Sequence, residues 1–210
     1  MNTVVCWDFD ETLGYFRPHE FAWAGVPLPA EMPPARLKPG IAALLDSLRE
    51  FTHVVTTAAV GEYAKQVLHD CGLLKYFSVV LGREDGICAG DGKDYGLVGK
   101  RFGIAEDELR SRLVIVSNDA ERDADCRCRQ VVMIHDARMM DLPAAPLATV
   151  LRGLVREGDG DIKRGFDAYF DRSGGAPLVL QDNLKLKLEY WGSYAEKRVH
   201  PVVSTILPMC

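Results

Sequence analysis

Short apolar segments alternate with segments of helical periodicity along the first two thirds of the chain. Between the apolar segments, apolar residues recur three and four positions apart, which is the spacing of a helix that buries one face. Strands that alternate with helices in this way pack into a parallel sheet. The pattern therefore predicts an α/β fold with strands over residues 4–7, 54–55, 79–81, 113–116 and 131–134.

The helical segments have recognisable ends. A Lys-Pro-Gly sequence at residues 38–40 precedes the first helix, in which apolar residues follow at positions 41, 44, 45 and 48. The second helix covers residues 63–68 and ends near Gly72, because glycine is common just past a helix C-terminus. A third helix is expected over residues 106–112.

The segment 14–37 contains five prolines and is predicted to form a loop, because proline interrupts both helices and strands. It follows the first strand directly. Its aromatic residues either line a substrate groove or pack over the edge of the sheet.

The pattern changes after about residue 146. A short helix is predicted over residues 147–156, a further helical segment around Phe166, and a strand over residues 184–190, where leucine alternates with charged residues. Residues 199–206 are expected to return beside that strand. We therefore divide the chain into a core, 1–146, and a C-terminal extension, 147–210, which either completes the core, docks a partner or forms a dimer.

Composition narrows the class of protein. With 210 residues, 48% of them hydrophobic and 26% charged, the chain is typical of a globular protein. No apolar run approaches the roughly 20 residues that span a membrane, and the N-terminus lacks a signal peptide, so we expect a cytoplasmic protein without a membrane partner. A net charge of -5 disfavours nucleic acid as a partner. The six cysteines form no zinc-binding pattern, and Cys126 and Cys128 receive no role.

Two carboxylates, Asp8 and Asp10, follow the first predicted strand. Parallel strands present functional groups at their carboxyl ends, although aspartate is also common in simple turns. Two like charges this close imply a bound cation or one protonated carboxyl. Both conditions suit metal-assisted phosphoryl transfer, in which one aspartate attacks phosphorus and the other carries a proton.

Other predicted strands and loops supply matching groups. Thr57 and the backbone N–H groups from Ala58 onward can bind phosphoryl oxygens, unless Thr56 or Thr57 merely caps the second helix. Lys93 can neutralise phosphate, although an isolated lysine is usually a surface charge. Asn118 and Asp119 follow the strand 113–116 and carry the oxygen ligands that Mg²⁺ prefers.

These motifs resemble, in order, those of the haloacid dehalogenase (HAD) superfamily of aspartate-nucleophile phosphohydrolases. Within it the chain is most similar to the small phosphatases of the RNA polymerase II carboxy-terminal domain, the NLI-interacting-factor-like branch. The resemblance covers residues 1–136. It is carried by Asp-Glu-Thr-Leu at residues 10–13, Thr57-Ala58, Lys93-Asp94 and Asn118.

The resemblance implies a three-layer, doubly wound parallel sheet that is capless or minimally capped. It also implies a role for each matching residue: Asp8 as nucleophile, Asp10 as general acid and base, and phosphate contacts from Thr57, Ala58 and Lys93. Mg²⁺ would be held by Asp8, the Asp10 carbonyl and Asn118. The fourth motif covers residues 117–123. Because Ser117 stands where that branch usually has an acid, Asp119 is the alternative ligand, with Asp123 in the outer shell of the metal site.

The expected function is therefore Mg²⁺-dependent hydrolysis of phosphomonoesters through an aspartyl phosphate. An open site suits a phosphorylated protein or a bulky metabolite. Two alternatives stay open, a catalytically silent binding module of the same fold and a nucleic-acid end phosphatase. The sequence leaves the oligomeric state undetermined.

Overall fold

The fold is known from a computed structural model. It describes residues 3–89, 92–117, 123, 129–133, 145–161, 164–165, 168, 179–180 and 184–189.

The strands are β1 (Val4–Asp8), β2 (Gly14–Tyr15), β3 (Arg36–Leu37), β4 (Thr52–Thr56), β5 (Val79–Leu81), β6 (Cys88–Ala89), β7 (Gly92–Lys93), β8 (Leu113–Ser117), β9 (Arg129–Met133), β10 (Val179–Leu180) and β11 (Leu184–Glu189). The helices are α1 (Arg17–Trp23), α2 (Ile41–Ser47), α3 (Gly61–Asp70), α4 (Gly96–Phe102), α5 (Leu109–Arg112) and α6 (Ala145–Glu157). Short 3-10 turns cover Leu74–Tyr76, Arg83–Asp85 and Glu106–Glu108.

The main sheet has the strand order β10-β11-β9-β8-β1-β4-β5. The five strands β9, β8, β1, β4 and β5 run parallel to one another. The strand β11 is antiparallel to β9, and β10 is antiparallel to β11. All five strands predicted from the apolar segments form, and the α/β prediction is confirmed. Because β1 lies between β4 and β8, its carboxyl end is flanked by the ends of both neighbours.

Helices cover both faces of the sheet, as alternate residues of β1 demonstrate. Val5 and Trp7 point into a cluster that includes buried residues of α2, α3 and α6. Val4 and Cys6 point into a second cluster, with buried residues of α4 and α5. A central strand buried on both faces explains why residues 4–7 read as a continuous apolar run rather than an alternating one.

A buried hydrogen-bonded pair joins β1 to β4. Trp7 Nε1 donates to His53 Nδ1 at 3.0 Å, and His53 Nε2 lies 3.0 Å from the carbonyl of Leu48. These partners place the imidazole proton on Nε2. Burial lowers the pKa of His53, so the ring is neutral in the folded protein.

The segment 14–37 is a loop over residues 24–35, which hold four of its five prolines, but not throughout. It contains the β2-β3 hairpin and the helix α1, in which Pro18 occupies the first turn. Proline is tolerated there because the first N–H groups of a helix have no partner within it. Phe16 is buried, stacks on Phe9 at 4.5 Å and accepts a hydrogen bond on its carbonyl from the Tyr63 hydroxyl at 3.1 Å. Phe16 therefore packs in the core and, with Tyr15, also lines the cavity described below, whereas Trp23 is 54% exposed.

The C-terminal extension contributes to the sheet and the core. The helix predicted over 147–156 forms as α6, and Leu151 and Leu154 are buried in the first cluster. The predicted strand over 184–190 forms as β11, which pairs with β9. The segment 199–206 lies outside the described residues, as does most of the segment around Phe166. The domain boundary stays a prediction.

None of the helices in the described ranges combines the length and apolar character that a membrane crossing needs.

Candidate active site

A cavity of about 450 Å³ opens where β1 and β4 end. Its volume is in the range of small-molecule sites. It brings together residues that are up to 115 positions apart in the chain, because the carboxyl ends of neighbouring parallel strands meet at one edge of the sheet. The lining includes five predicted site residues, Asp8, Asp10, Thr57, Ala58 and Lys93, together with Asp123.

Asp8 and Lys93 form a buried ion pair in this cavity. Lys93 lies in β7, whose hairpin with β6 carries it to the end of β1. Its Nζ atom is 2.6 Å from Asp8 Oδ1, and the Thr12 hydroxyl donates to Asp8 Oδ2 at 3.3 Å. The Lys93 side chain is only 2% exposed, so the interpretation of this lysine as a surface charge is wrong.

A second carboxylate contacts the same ammonium. Asp123 Oδ1 lies 2.9 Å from Lys93 Nζ, and the Ser117 hydroxyl donates a short hydrogen bond to Asp123 Oδ2. Burial by itself would lower the pKa of Lys93, but the attraction of Asp8 and Asp123 outweighs it, so the pKa is raised. Burial and then Asp8 raise the pKa of Asp123, against the opposing effect of Lys93. With both carboxyls ionised, the three groups carry one net negative charge.

Asp10 reaches the cavity from a tight turn after β1. Glu11 has a φ of 61°, a left-handed conformation that costs a non-glycine residue about 1–2 kcal/mol, and its N–H donates to the Gly14 carbonyl at 2.7 Å. Burial, followed by the charge of Asp8, raises the pKa of Asp10 to about 7. Glu20 and Glu11 add to this rise. A carboxyl with this pKa both donates and accepts protons near neutral pH.

Thr57 and Ala58 follow β4 and form the opposite part of the lining. The Thr57 hydroxyl oxygen accepts a hydrogen bond from the Ala59 N–H at 3.0 Å, which leaves the hydroxyl proton for another acceptor. Neither Thr56 nor Thr57 caps α3, so that interpretation is wrong. The first N–H of α3, from Gly61, instead donates to Glu84 Oε1 at 2.7 Å.

The predicted metal ligands Asn118 and Asp119 lie outside the described residues. Within the described part of the chain, no group of three histidine, cysteine or acidic side chains forms a metal-binding cluster. The oxygen groups present nevertheless suit Mg²⁺, which prefers hard oxygen ligands. Asp123 Oδ1 is buried, and its contact in the described part of the chain is the Lys93 ammonium at 2.9 Å.

Sequence reasoning placed Asp123 in the outer shell of the metal site, whereas it contacts Lys93 directly. A signal for it was present, because it is the last residue of the fourth motif, 117–123. The cavity lining also includes Arg17, Glu20 and Arg83, which no motif identified.

No family model matches the sequence, and no curated protein matches it significantly. Part of the chain is similar to solved structures. A haloacid dehalogenase-like hydrolase from Streptococcus pneumoniae is 16% identical, with 55% of this chain and 75% of that chain covered and a TM-score of 0.39. L-2-haloacid dehalogenase from Xanthobacter autotrophicus is 12% identical over 56% and 70% of the two chains, with a TM-score of 0.42. A Bacillus subtilis protein classed with the HAD hydrolases was solved with bound magnesium. It is 15% identical, with 58% of this chain and 80% of that chain covered and a TM-score of 0.44.

Proposed function

We propose that this protein belongs to the HAD superfamily and hydrolyses phosphomonoesters through an aspartyl phosphate on Asp8, with Mg²⁺ as cofactor. The observation that carries the proposal is the Asp8–Lys93 ion pair, 2.6 Å long, in the same cavity as Asp10 and Thr57. A partly buried nucleophile, a cation, a proton carrier and a hydroxyl donor at one end of a parallel sheet suit phosphoryl transfer.

In the first step, a carboxylate oxygen of Asp8 forms a bond to phosphorus, and the bond from phosphorus to the ester oxygen breaks. Asp10, protonated in part because its pKa is about 7, gives its proton to the departing oxygen. In the second step, Asp10 takes a proton from a water molecule, whose oxygen attacks phosphorus and releases phosphate from Asp8. Lys93 and the Thr57 hydroxyl bind the phosphoryl oxygens in both steps.

Mg²⁺ would be held by the Asp8 carboxylate, the Asp10 carbonyl and a side-chain oxygen of Asn118 or Asp119. When bound, it neutralises charge on the transferring phosphoryl group. The net negative charge of Asp8, Lys93 and Asp123 favours a cation here.

The proposed substrate is a phosphorylated protein or a bulky phosphorylated metabolite. Between β1 and β4 the chain holds a two-stranded hairpin, an irregular segment over residues 24–35 and two seven-residue helices, α1 and α2, which supports a site with little cover from this part of the chain. Nucleic acid is disfavoured by the net charge of -5. The cytoplasmic location remains a prediction from the sequence.

Hydrolysis of an aryl phosphate, with Mg²⁺ and with chelator, tests the proposal. We expect activity that depends on Mg²⁺ and is abolished in Asp8→Asn, because an amide is a poor nucleophile. Asp107→Asn is the matched control, since Asp107 is exposed and lies outside the cavity lining. Metal-dependent activity retained by Asp8→Asn would reject the mechanism.

Beryllium fluoride separates the enzyme from a silent binding module of the same fold. It mimics a phosphoryl group on aspartate, so with Mg²⁺ it should raise the melting temperature of an intact site by ligand linkage. The same addition should leave Asp8→Asn unchanged. An unchanged melting temperature in the unmodified protein would favour the binding module.

A further inference from the structure

The 3-10 turn Arg83–Asp85 contributes Arg83 to the cavity lining and is hydrogen-bonded to the loop after β4. The Arg83 N–H donates to the Ala59 carbonyl at 3.0 Å. Glu84 accepts from the Gly61 N–H at 2.7 Å, and Asp85 Oδ2 accepts from the Gly82 N–H at 2.8 Å. The backbone of Arg83 is therefore held in place beside Thr57 and Ala58.

Gly82 explains how the turn comes so close to α3. A Cβ atom at Gly82 would lie 2.2 Å from the backbone nitrogen of Gly61, which no side chain allows. The turn therefore packs directly on the first residue of the helix. This contact, with the three hydrogen bonds, keeps the start of the Arg83 side chain at the cavity.

The Arg83 guanidinium is not paired with the two acidic residues that follow it in the sequence. Glu84 and Asp85 both accept hydrogen bonds from backbone N–H groups, and no ion pair joins either of them to Arg83 within the described ranges. Three arginines outside the cavity do pair with acids. These pairs are Arg49–Asp46 at 2.6 Å, Arg112–Glu108 at 3.8 Å and Arg152–Glu50 at 3.0 Å.

Arg83 and Lys93 differ in depth. Lys93 is buried, and its ammonium forms ion pairs with Asp8 and Asp123 at the point where the phosphoryl group is expected. Arg83 is exposed and lines the same cavity. A planar guanidinium matches carboxylate and phosphate through two parallel hydrogen bonds.

We propose that Arg83 is a specificity-determining residue that binds a second anionic group of the substrate, apart from the phosphoryl group that Asp8 attacks. The inference rests on the proposed function and narrows it to phosphomonoesters that also carry a carboxylate or a second phosphate. Arg17 also lines the cavity, but so does Glu20, three residues later in α1, whereas Glu84 and Asp85, the acidic neighbours of Arg83, are outside the lining.

The test compares kcat/KM for phenyl phosphate, 4-carboxyphenyl phosphate and benzene-1,4-diyl bisphosphate. The three esters share a ring and a scissile phosphate and differ in the second group. We expect the unmodified protein to prefer the two esters with a second charge. Arg83→Gln should lose about 10- to 100-fold on those two and stay close to unchanged on phenyl phosphate.

Arg101→Gln is the matched control, because it removes the same charge from an exposed position outside the cavity lining. It should leave all three values unchanged, and Arg83→Lys should restore part of the preference. The relative losses on the carboxylate and bisphosphate esters identify which anion Arg83 binds. Equal melting temperatures for the two glutamine variants would exclude a folding defect.

An equal loss on all three esters in Arg83→Gln would overturn the inference, because it would assign Arg83 to the transferred phosphoryl group. If the unmodified protein hydrolysed all three esters equally well, the inference would also be overturned. The proposed function would still stand in that case. If the unmodified protein hydrolysed none of them with Mg²⁺, the proposed function would fail and the inference with it.

Discussion

Lys93 and Asp8 form the central contact of the candidate site, with Nζ of the lysine 2.6 Å from Oδ1 of the aspartate. The two residues are 85 positions apart, and their side chains are 2% and 13% exposed. Asp123 lies on the other side of the same ammonium, at 2.9 Å. One buried cation therefore contacts a buried carboxylate, Asp123, and a partly buried one, Asp8, so the same contacts serve stability and the proposed catalysis.

Replacing Lys93 with methionine should damage both properties. The change leaves Asp8 and Asp123 without their shared cation, and removal of one partner from a buried pair typically costs about 3–5 kcal/mol. We expect a loss of that size in the free energy of unfolding, measured with urea at pH 7 in metal-free buffer, and loss of phosphatase activity. Lys100→Met, at an exposed position of α4, is the control. Unchanged stability in Lys93→Met would contradict the ion-pair geometry.

Asp10 should shape the dependence of activity on pH. Its pKa of about 7 means that the protonated form, which the proposed first step needs, is lost as the pH rises through 7. We expect the burst of released alcohol in single-turnover experiments to slow above pH 7 for substrates with poor leaving groups. For substrates whose leaving group needs no proton, the rate of this step should not change over the same pH range. Asp10→Asn should lose the dependence together with most of the activity on poor leaving groups.

The Trp7–His53 hydrogen bond predicts a separate pH effect on stability. The folded pKa of His53 is below the unfolded value of 6.5, so its contribution to stability is complete above that pH and is lost as the pH falls below about 6.5. Protonation would place a hydrogen on Nδ1, which accepts from Trp7 Nε1 at 3.0 Å. Urea unfolding between pH 7.5 and about 5 should show this loss.

His53→Asn is the comparison variant for that experiment. It should be less stable at pH 7.5, and its stability should fall less between pH 7.5 and about 5 than that of the unmodified protein. His69→Asn serves as the control, because His69 is an exposed residue of α3. An equal fall in His53→Asn and the unmodified protein would refute the assignment.

The helix α6 should contribute to the stability of the whole fold. Leu154 is 3% exposed and belongs to the cluster that also contains Val5 and Trp7 of β1. Leu154→Ala should lower the free energy of unfolding by about 2–5 kcal/mol, since it removes buried methyl groups and leaves a cavity. Arg156→Ala, an exposed position of the same helix, should change it by less than about 0.5 kcal/mol. A negligible effect of Leu154→Ala would indicate that α6 is not docked in solution.

Much of the fold could be predicted because its signals are local. The five parallel strands and the helices α2, α3 and α6 are visible as runs and periods of apolar residues. Two helices were missed. Pro18 suggested a break in α1 although it stands in the first turn, and α4 is a seven-residue helix with too few apolar positions to show a period.

The residues of the candidate site likewise fall into those that motifs identify and those that only the structure places there. Asp8, Asp10, Thr57 and Lys93 were recognised from motifs, and the structure brings them into one cavity. The roles assigned to them, and to Asn118 and Asp119, remain predictions. The contact of Asp123 with Lys93 and the place of Arg83 depend on loops whose paths no motif describes.

By itself the sequence determined the order of strands and helices, the faces that they bury, and the carboxyl-end positions at which functional groups gather. These properties follow from side-chain spacing along a strand or helix, which neighbouring residues establish. Only the tertiary structure decided which groups form ion pairs. It also decided which side chain caps a helix from a distance in the chain, as Glu84 does by accepting from the Gly61 N–H, 23 residues away. Such contacts depend on distances between segments that are remote in the chain, and those distances exist only once the sheet and its loops have packed.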